Sequence, residues 1–400
     1  MQIFLVLLFA YTLSQFFRAF LAIVAGDLSR DLGLNAADLG SISAIWFATF
    51  ALAQFPVGYA LDRLGPRRTI AGFMVLAVIG AAGLSLATGF VGALVAMALI
   101  GIGCSPILMG SMYYFARSYP VERFAMLSSF MIGFGAAGNL LGATPLAIAV
   151  EAFGWRGSMA TIAGITAVSA LTSLILLKDP PRVAGARETG GMIAGLVEIA
   201  SLRTLWFLLP ITFISYAIVI ATRSLWIAPF FADVHGFSVT QTGHAAFFMA
   251  VTMSIGALAY GPIERMIGDA KTTVLIGSVL TSICFLGVGL FGSASVVASV
   301  VLIAAVGAFG LTYGIIMAHG RLFFPPHLLG RGVTFLNFAF IAGAGIVQWL
   351  SGRFVQASAN AGADPADVFS MLFIAFGSVL ALATALYMAT PARPKVEAGV

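Results

Sequence analysis

Two tyrosine–arginine pairs stand inside otherwise apolar stretches of the chain. Tyr11 and Arg18 lie in the first long apolar segment, Tyr216 and Arg223 in the seventh, and both pairs read Tyr-x6-Arg. On a continuous helix seven residues make nearly two turns, which predicts tyrosine and arginine on one face, about 10 Å apart along the axis. No acidic residue stands beside either arginine in its segment. An arginine near the middle of a bilayer costs roughly 2.5–3.5 kcal/mol on insertion scales. Two of them at corresponding places predict a polar cavity between two halves and a negatively charged visitor. A guanidinium suits that task, because its planar fork meets carboxylate or phosphate oxygens in bidentate fashion and keeps its proton. Ser14 and Gln15 precede Arg18 by four and three residues and are expected on its face. The binding set predicted here is Arg18, Arg223, Tyr11, Tyr216, Ser14 and Gln15.

Helices in a bilayer must position these groups. The 400 residues are 60% hydrophobic and only 9% charged, with 45 glycines, a composition that defines an integral membrane protein. Twelve apolar stretches are long enough to cross a hydrocarbon core of about 30 Å: 2–25, 38–60, 69–88, 91–116, 124–150, 155–177, 203–230, 238–262, 272–292, 295–323, 332–357 and 367–389. With the N-terminus inside, fifteen of the 20 basic residues fall in inside loops and three (Arg30, Arg156, Arg353) in outside loops; Arg18 and Arg223 complete the set. That bias predicts a cytoplasmic-membrane protein with both termini cytoplasmic. The net charge of +5 follows from topology and gives no reason to expect nucleic acid as a partner. The first stretch lacks a basic leader region and is interrupted by Arg18, so it reads as a span. Cys104 and Cys284 lie in apolar spans, where no structural disulfide is expected.

The chain repeats itself. Gly58-Tyr59-Ala60-Leu61-Asp62-Arg63-Leu64-Gly65-Pro66-Arg67-Arg68-Thr69 aligns with Gly261-Pro262-Ile263-Glu264-Arg265-Met266-Ile267-Gly268-Asp269-Ala270-Lys271-Thr272, both reading Gly-x6-Gly-x2-[Arg/Lys]-Thr around an acid–arginine pair. Gly40 matches Gly243 at the same offset, and Arg123 to Ser129 matches Arg331 to Asn337 in spacing. The predicted organisation is an N-terminal six-helix bundle over 1–177, a cytoplasmic linker over 178–202, a C-terminal six-helix bundle over 203–390 and a tail over 391–400. The fold class is all-α: twelve transmembrane helices in two pseudo-symmetric bundles, related as parallel repeats.

The Gly58–Arg68 stretch resembles the loop between helices two and three of the major facilitator superfamily, and the resemblance extends over the whole chain through the repeat and the twelve spans. It implies that this loop is a cytoplasmic gate, with Gly58, Asp62, Arg63, Gly65, Arg67 and Arg68 in the first half and Glu264 and Arg265 in the second. Arg117 or Arg123 is the expected partner of Asp62. In that fold spans one, four, seven and ten line the cavity. Tyr313 thereby joins the binding set, with Thr312, Met317, Ser105, Met109 and Met112 as wall residues. Paired arginines in spans one and seven resemble the organophosphate:phosphate antiporter and related organic-anion carriers. Phe16-Phe17-Arg18, Ala318-His319-Gly320-Arg321 and Pro325-Pro326-His327 are similar to a bacterial group described as nitrate/nitrite-like.

These readings converge on a secondary active transporter of a small anion, of organic carboxylate or phosphate type, working by alternating access. All 15 acids fall in loops or at helix ends, Asp27 and Asp233 nearest the cavity mouth, so exchange against a counter-anion is favoured over proton coupling. The protein is expected to act as a monomer, without cofactor or metal and not as an enzyme, since no nucleotide loop, catalytic triad or metal spacing is present. A proton-coupled drug or metabolite exporter is the first alternative. Against it, Gly138-Asn139-Leu140-Leu141-Gly142 lacks the exporters' proline and Met97 stands where they often carry arginine. A transport-inactive sensor or assembly factor is the second. Asn139, Asn337 and Gln348 are expected to bridge helices, Trp46 and Trp226 to pack or face the site, and His244 is the histidine placed to relay protons.

Overall fold

The computed structural model describes residues 2–119, 127, 130–179, 203–324 and 329–393, without the side chains of Asp62, Ala116, Arg203 and Thr204 or of residues 329–331, 333 and 334. Arg123, Ser129, Pro325, Pro326, His327, most of the 178–202 linker and the end of the tail lie outside the described residues. Among those described, every regular element is helical.

In the first half α1 runs Gln2–Phe16, α2 Phe20–Leu32, α3 Ala36–Ser85, α4 Phe90–Cys104, α5 Pro106–Ser118, α6 Ala137–Leu141 and α7 Thr144–Leu176. In the second half α8 is Arg203–Ala221, followed by a π-helical turn Thr222–Trp226, then α9 Ile227–His235, α10 Val239–Ile267, α11 Ala270–Phe291, α12 Val296–Gly310, α13 Tyr313–Arg321, α14 Leu329–Asn360 and α15 Pro365–Tyr387. Among the described residues ten stretches are long and apolar enough to cross a membrane, and the bent pair α1–α2 makes an eleventh. One of the ten, Phe130–Leu176, has 47 residues, about 70 Å of helix, more than twice a bilayer core. It is interrupted at Gly154 (φ 72°, ψ 164°), so it supplies two crossings and restores the expected twelve.

Two expectations about local structure need correction. The glycine-rich stretch 58–69 is a sharp turn and not an extended loop. Two helices meet in it at Gly65, the one residue that leaves helical geometry, at φ 80° and ψ 167°, a region closed to other residues. The first span also reaches farther than 2–25 and is not one rod: it stops at Phe16, restarts at Phe20 and bends by 45°.

The helices group into two compact units. One comprises Met1–Val183, Thr222–Phe247 and Gln348–Gly362; the other comprises Ala184–Ala221, Phe248–Val347 and Ala363–Val400. These units cut across the two sequence halves, because Thr222–Phe247 and Gln348–Gly362 group with the N-terminal helices. The first unit has a core of Leu7, Ala10, Tyr11, Ile70, Met74, Ile107 and Phe115. The second is built around Leu208, Ile211, Val274, Ile316, Leu336, Phe340 and Tyr387. Each buried leucine- or phenylalanine-sized side chain contributes roughly 1.5–3 kcal/mol where it leaves water during assembly.

Candidate functional site

Every span expected to line a cavity departs from regular α-helix part-way along. Span one stops and restarts across residues 17–19, span four carries Pro106 after Ser105, span seven passes into the π turn, and span ten is interrupted at Leu311–Thr312. Broken spans bring polar backbone and side chains to membrane depth, where a continuous helix would conceal its backbone.

Arg18 stands in the first break. The backbone there tightens to three-residue turns, Arg18 N–H donating to Gln15 O at 3.2 Å and Ala19 N–H to Phe16 O at 2.9 Å. The half-buried guanidinium lies over Phe50, 4.8 Å from the ring centroid, and over Trp46 at 5.5 Å. Both rings are buried. Such stacking holds a cation without neutralising it. Among the described residues Arg18 forms no ion pair, and its buried Nε has no hydrogen-bond acceptor.

Arg223 sits in the π turn and is 4% exposed. A π turn carries an extra residue and redirects the side chains that follow, a distortion frequent at functional sites. Its Nη1 donates to Asn139 Oδ1. Asn139 belongs to the single-turn helix α6, whose Gly138 seats directly on span one: a Cβ there would lie 2.9 Å from Gln15 Cβ and from Phe16 N. One short helix therefore touches the turn that leads into Arg18 and grips Arg223.

Helix α1 ends between Tyr11 and Arg18, so the two do not stand on one continuous helix. The Tyr11 hydroxyl accepts from Gln15 Nε2 at 3.0 Å. Ser14 is buried and hydrogen-bonded to the Cys104 thiol, which lies within the electrostatic reach of Arg18. Tyr216 lies in α8, and Arg223 follows it in the π turn. Tyr216 lies in the second unit, its ring 5.8 Å from Tyr313 and 6.1 Å from Phe340. Tyr313 donates to Asn337 Oδ1 at 2.8 Å. Asn139, Asn337 and Gln348 each join two helices, Gln348 by accepting from Ser43.

In the first unit a further set of polar contacts joins helices far apart in sequence. Trp226 Nε1 donates to Ser351 Oγ at 2.8 Å, and Ala36 N–H to Gln356 Oε1 at 3.0 Å. Thr240 N–H donates to Glu151 Oε1 at 2.9 Å, and His244 Nδ1 lies 3.2 Å from Thr144 Oγ1. Trp226 and His244 thus serve helix contacts here, while Trp46 faces Arg18. Asp27 is paired with Arg30.

The gate residues divide. Gly65 makes the turn that its pattern demands. Arg67 N–H donates to Asp179 Oδ1 at 2.9 Å, and Arg67 Nε to Leu174 O at 2.6 Å, tying the turn to the end of span six. Asp179 was hidden from sequence reasoning, since it follows span six in what reads as linker. Arg63 lies over Tyr59 at 5.4 Å and Arg117 over Tyr113 at 5.2 Å. Arg68 is exposed, and nothing lies within 4 Å of the place a Gly58 Cβ would take. Asp62 keeps its place in α3, its side chain lying outside the described residues. Glu264 and Arg265 form no ion pair among the described residues.

Comparison with known proteins defines the class. The sequence profile described as Major Facilitator Superfamily matches residues 7–347, and the chain belongs to this family. Its relatives and fold neighbours are transporters, and the protein is a multi-pass membrane transporter, not an enzyme. It is 25% identical over 312 residues to the hexuronate transporter of Bacillus subtilis, covering 75% of this chain and 73% of the relative. It is 23% identical over 328 residues to a D-galactonate transporter of Escherichia coli, covering 68% and 70%. A 4-hydroxybenzoate transporter of Pseudomonas aeruginosa is 29% identical over 152 residues, covering 38% and 34%. Among solved structures, a bacterial homologue of the human lysosomal transporter Spinster superposes with a TM-score of 0.79 at 18% identity, covering 97% of this chain and 96% of that one. That likeness supports the fold.

Proposed function

We propose that the protein is a secondary transporter of a small organic carboxylate, with Arg18 and Arg223 holding the anionic group. The observation that carries this reading is Arg18: a half-buried cation in a broken span, stacked on Trp46 and Phe50, with a buried N–H that has no acceptor among the described residues. A carboxylate offers that N–H an acceptor and the charge a counterpart. The named relatives support carboxylate over phosphate, because hexuronate, galactonate and 4-hydroxybenzoate are all carboxylates. Tyr11, Gln15, Ser14, Tyr216 and Tyr313 belong to this reading as secondary contributors to binding. The remaining assignments belong to the same reading: bundles over 1–177 and 203–390, both termini in the cytoplasm, the Gly58–Arg68 and Glu264–Arg265 segments as gates, and exchange as the coupling mode. The test is a stability screen of the purified protein against D-glucuronate, D-galactonate, 4-hydroxybenzoate, glycerol 3-phosphate and nitrate, followed by uptake into proteoliposomes preloaded with each anion. A ligand at a hundred times its Kd stabilises by about 2.7 kcal/mol. Stabilisation by the carboxylates, and uptake accelerated by an internal carboxylate, is the expected result. Stabilisation and uptake restricted to glycerol 3-phosphate or nitrate would overturn the carboxylate assignment.

A further inference from the structure

We propose that Asn139 is the resident ligand of Arg223: its amide oxygen holds the guanidinium where a substrate carboxylate takes over, so anion binding and release of this amide are one event. The inference rests on the paired-arginine reading above.

The placement of Asn139 argues for an exchangeable partner. It stands on α6, a helix of five residues with a turn at Ala136 before it and Gly142–Ala143 after it. This short piece can reorient without unwinding a long helix. Gly138, its neighbour, seats on the Thr12–Phe16 turn of span one, while Asn139 itself grips span seven through Arg223. The bond thus links the two arginine-bearing segments through one helical turn.

The chemistry of the pair points the same way. Arg223 is 4% exposed, and a guanidinium so buried needs acceptors. An amide oxygen supplies one without cancelling the charge. A carboxylate accepts two parallel N–H bonds and neutralises the cation, so it outcompetes the amide at the same fork. An aspartate at 139 would be a permanent counter-ion that a mobile carboxylate could not displace so readily. Asparagine therefore keeps Arg223 ordered when the site holds no anion and yields when one arrives. Asn139 is in this sense a positioning residue, acting through Arg223.

The test uses the full-length purified protein, with D-galactonate as probe, or D-glucuronate if galactonate gives no shift in the wild type. Equilibrium affinity, the melting temperature without anion and the exchange rate are measured on the same samples. Asn139→Asp is expected to weaken anion binding at least tenfold while the anion-free melting temperature holds or rises. Asn139→Ala is expected to bind the anion within threefold of wild type or more tightly, while its anion-free melting temperature falls. Wild-type affinity in Asn139→Asp, alongside weakened affinity in Arg223→Lys, overturns the inference and leaves the arginine site standing. Wild-type affinity in Arg223→Lys overturns both. If Asn139→Asp does not fold, Asn139→Ala decides: a tenfold loss of affinity would make Asn139 a direct contact of the anion and refute the resident-ligand role.

Discussion

The two halves of the chain build the same two features from different partners. Each half has an arginine at a broken span. Arg18 lies against the faces of Phe50 and Trp46, whereas Arg223 is bonded to the amide of Asn139. Each half also has a glycine turn at the end of its second span, Gly65 at φ 80° and Gly268 at φ 76°. At Gly65 the carboxylate that receives a helix N–H comes from Asp179, 112 residues from Arg67. At Gly268 it comes from the next residue, Asp269, which accepts from Thr272 N–H at 2.8 Å. The helix after each turn is then fastened to the last span of its half by a basic side chain: Arg67 Nε to Leu174 O at 2.6 Å, and Lys271 Nζ to Met388 O at 2.8 Å. Basic groups suit those carbonyls, which are orphaned at a helix C-terminus. The two turns share a backbone angle, a carboxylate cap and a basic tether, although different residues supply them.

The largest expected effect separates the two arginines. Arg18→Lys and Arg223→Lys each lose the bidentate fork. A charge-assisted hydrogen bond is worth roughly 1.5–3 kcal/mol, about ten- to a hundredfold in anion affinity. Their stabilities without anion should differ. Arg18→Lys is expected to melt near the wild-type temperature, because the ring faces accept an ammonium too. Arg223→Lys should melt lower, because the half-buried amide of Asn139 loses its guanidinium partner. Equal melting losses, measured in the same detergent, would erase the contrast between an aromatic and an amide environment.

The turns offer the next test. Gly65→Ala places a side chain in a glycine-only region, at a cost of about 1–3 kcal/mol, and drives its Cβ to within 2.6 Å of Asp179 Cγ. Gly268→Ala carries backbone strain alone, since nothing lies within 4 Å of the new atom. Thermal denaturation should therefore rank Gly65→Ala as the more harmful. Removing the obstacle sharpens the point: Asp179→Ala combined with Gly65→Ala should cost less than the sum of the two single changes. Strict additivity would mean that Asp179 does not crowd the turn.

Much of this was legible in the residues, and the parts that were not have physical reasons. Hydropathy gave away the spans because a bilayer leaves so few alternatives. The Gly-x6-Gly repeat announced both turns because only glycine adopts their backbone. Asn139, Asn337 and Gln348 were readable as helix bridges because an amide inside a bundle needs a partner. The breaks in spans one and seven were not readable: residues 17–19 and 222–226 contain neither glycine nor proline, the usual marks of interruption. Asp179 and the Ser14–Cys104 contact are long-range pairings, which local pattern does not encode.

A smaller effect is expected from the rings. Trp46→Leu keeps the volume apolar and removes one face from Arg18. A cation–π contact is worth about 0.5–2 kcal/mol. Anion affinity should change by between two- and thirtyfold if the ring orients the guanidinium. A tryptophan effect confined to Arg18-dependent binding would sharpen the contrast. Measuring Trp46→Leu in the Arg18→Lys background checks this, since the second change should then add little.

The smallest effect concerns the capping carboxylates, and pH distinguishes the two turns. Thr272 donates both its hydroxyl, at 2.5 Å, and its backbone N–H to Asp269. These bonds hold the Asp269 carboxyl below its ordinary value, the side-chain bond from Thr272 being the largest cause. A depressed carboxylate contributes stability that is fully present above the unfolded value, about 3.9, and is lost as pH falls through the lower folded value. Loss of an N-cap costs about 1 kcal/mol, and solvent screening at this exposed turn keeps the electrostatic part small. Asp269→Ala should therefore melt slightly below wild type at pH 7, with the gap closing in strong acid. Asp269→Asn should retain most of the stability, because an amide oxygen also caps a helix. It should also remove the acid dependence assigned to this carboxyl. A gap between Asp269→Ala and wild type that stays constant from pH 7 into strong acid would show that the cap acts through packing and not through its charge.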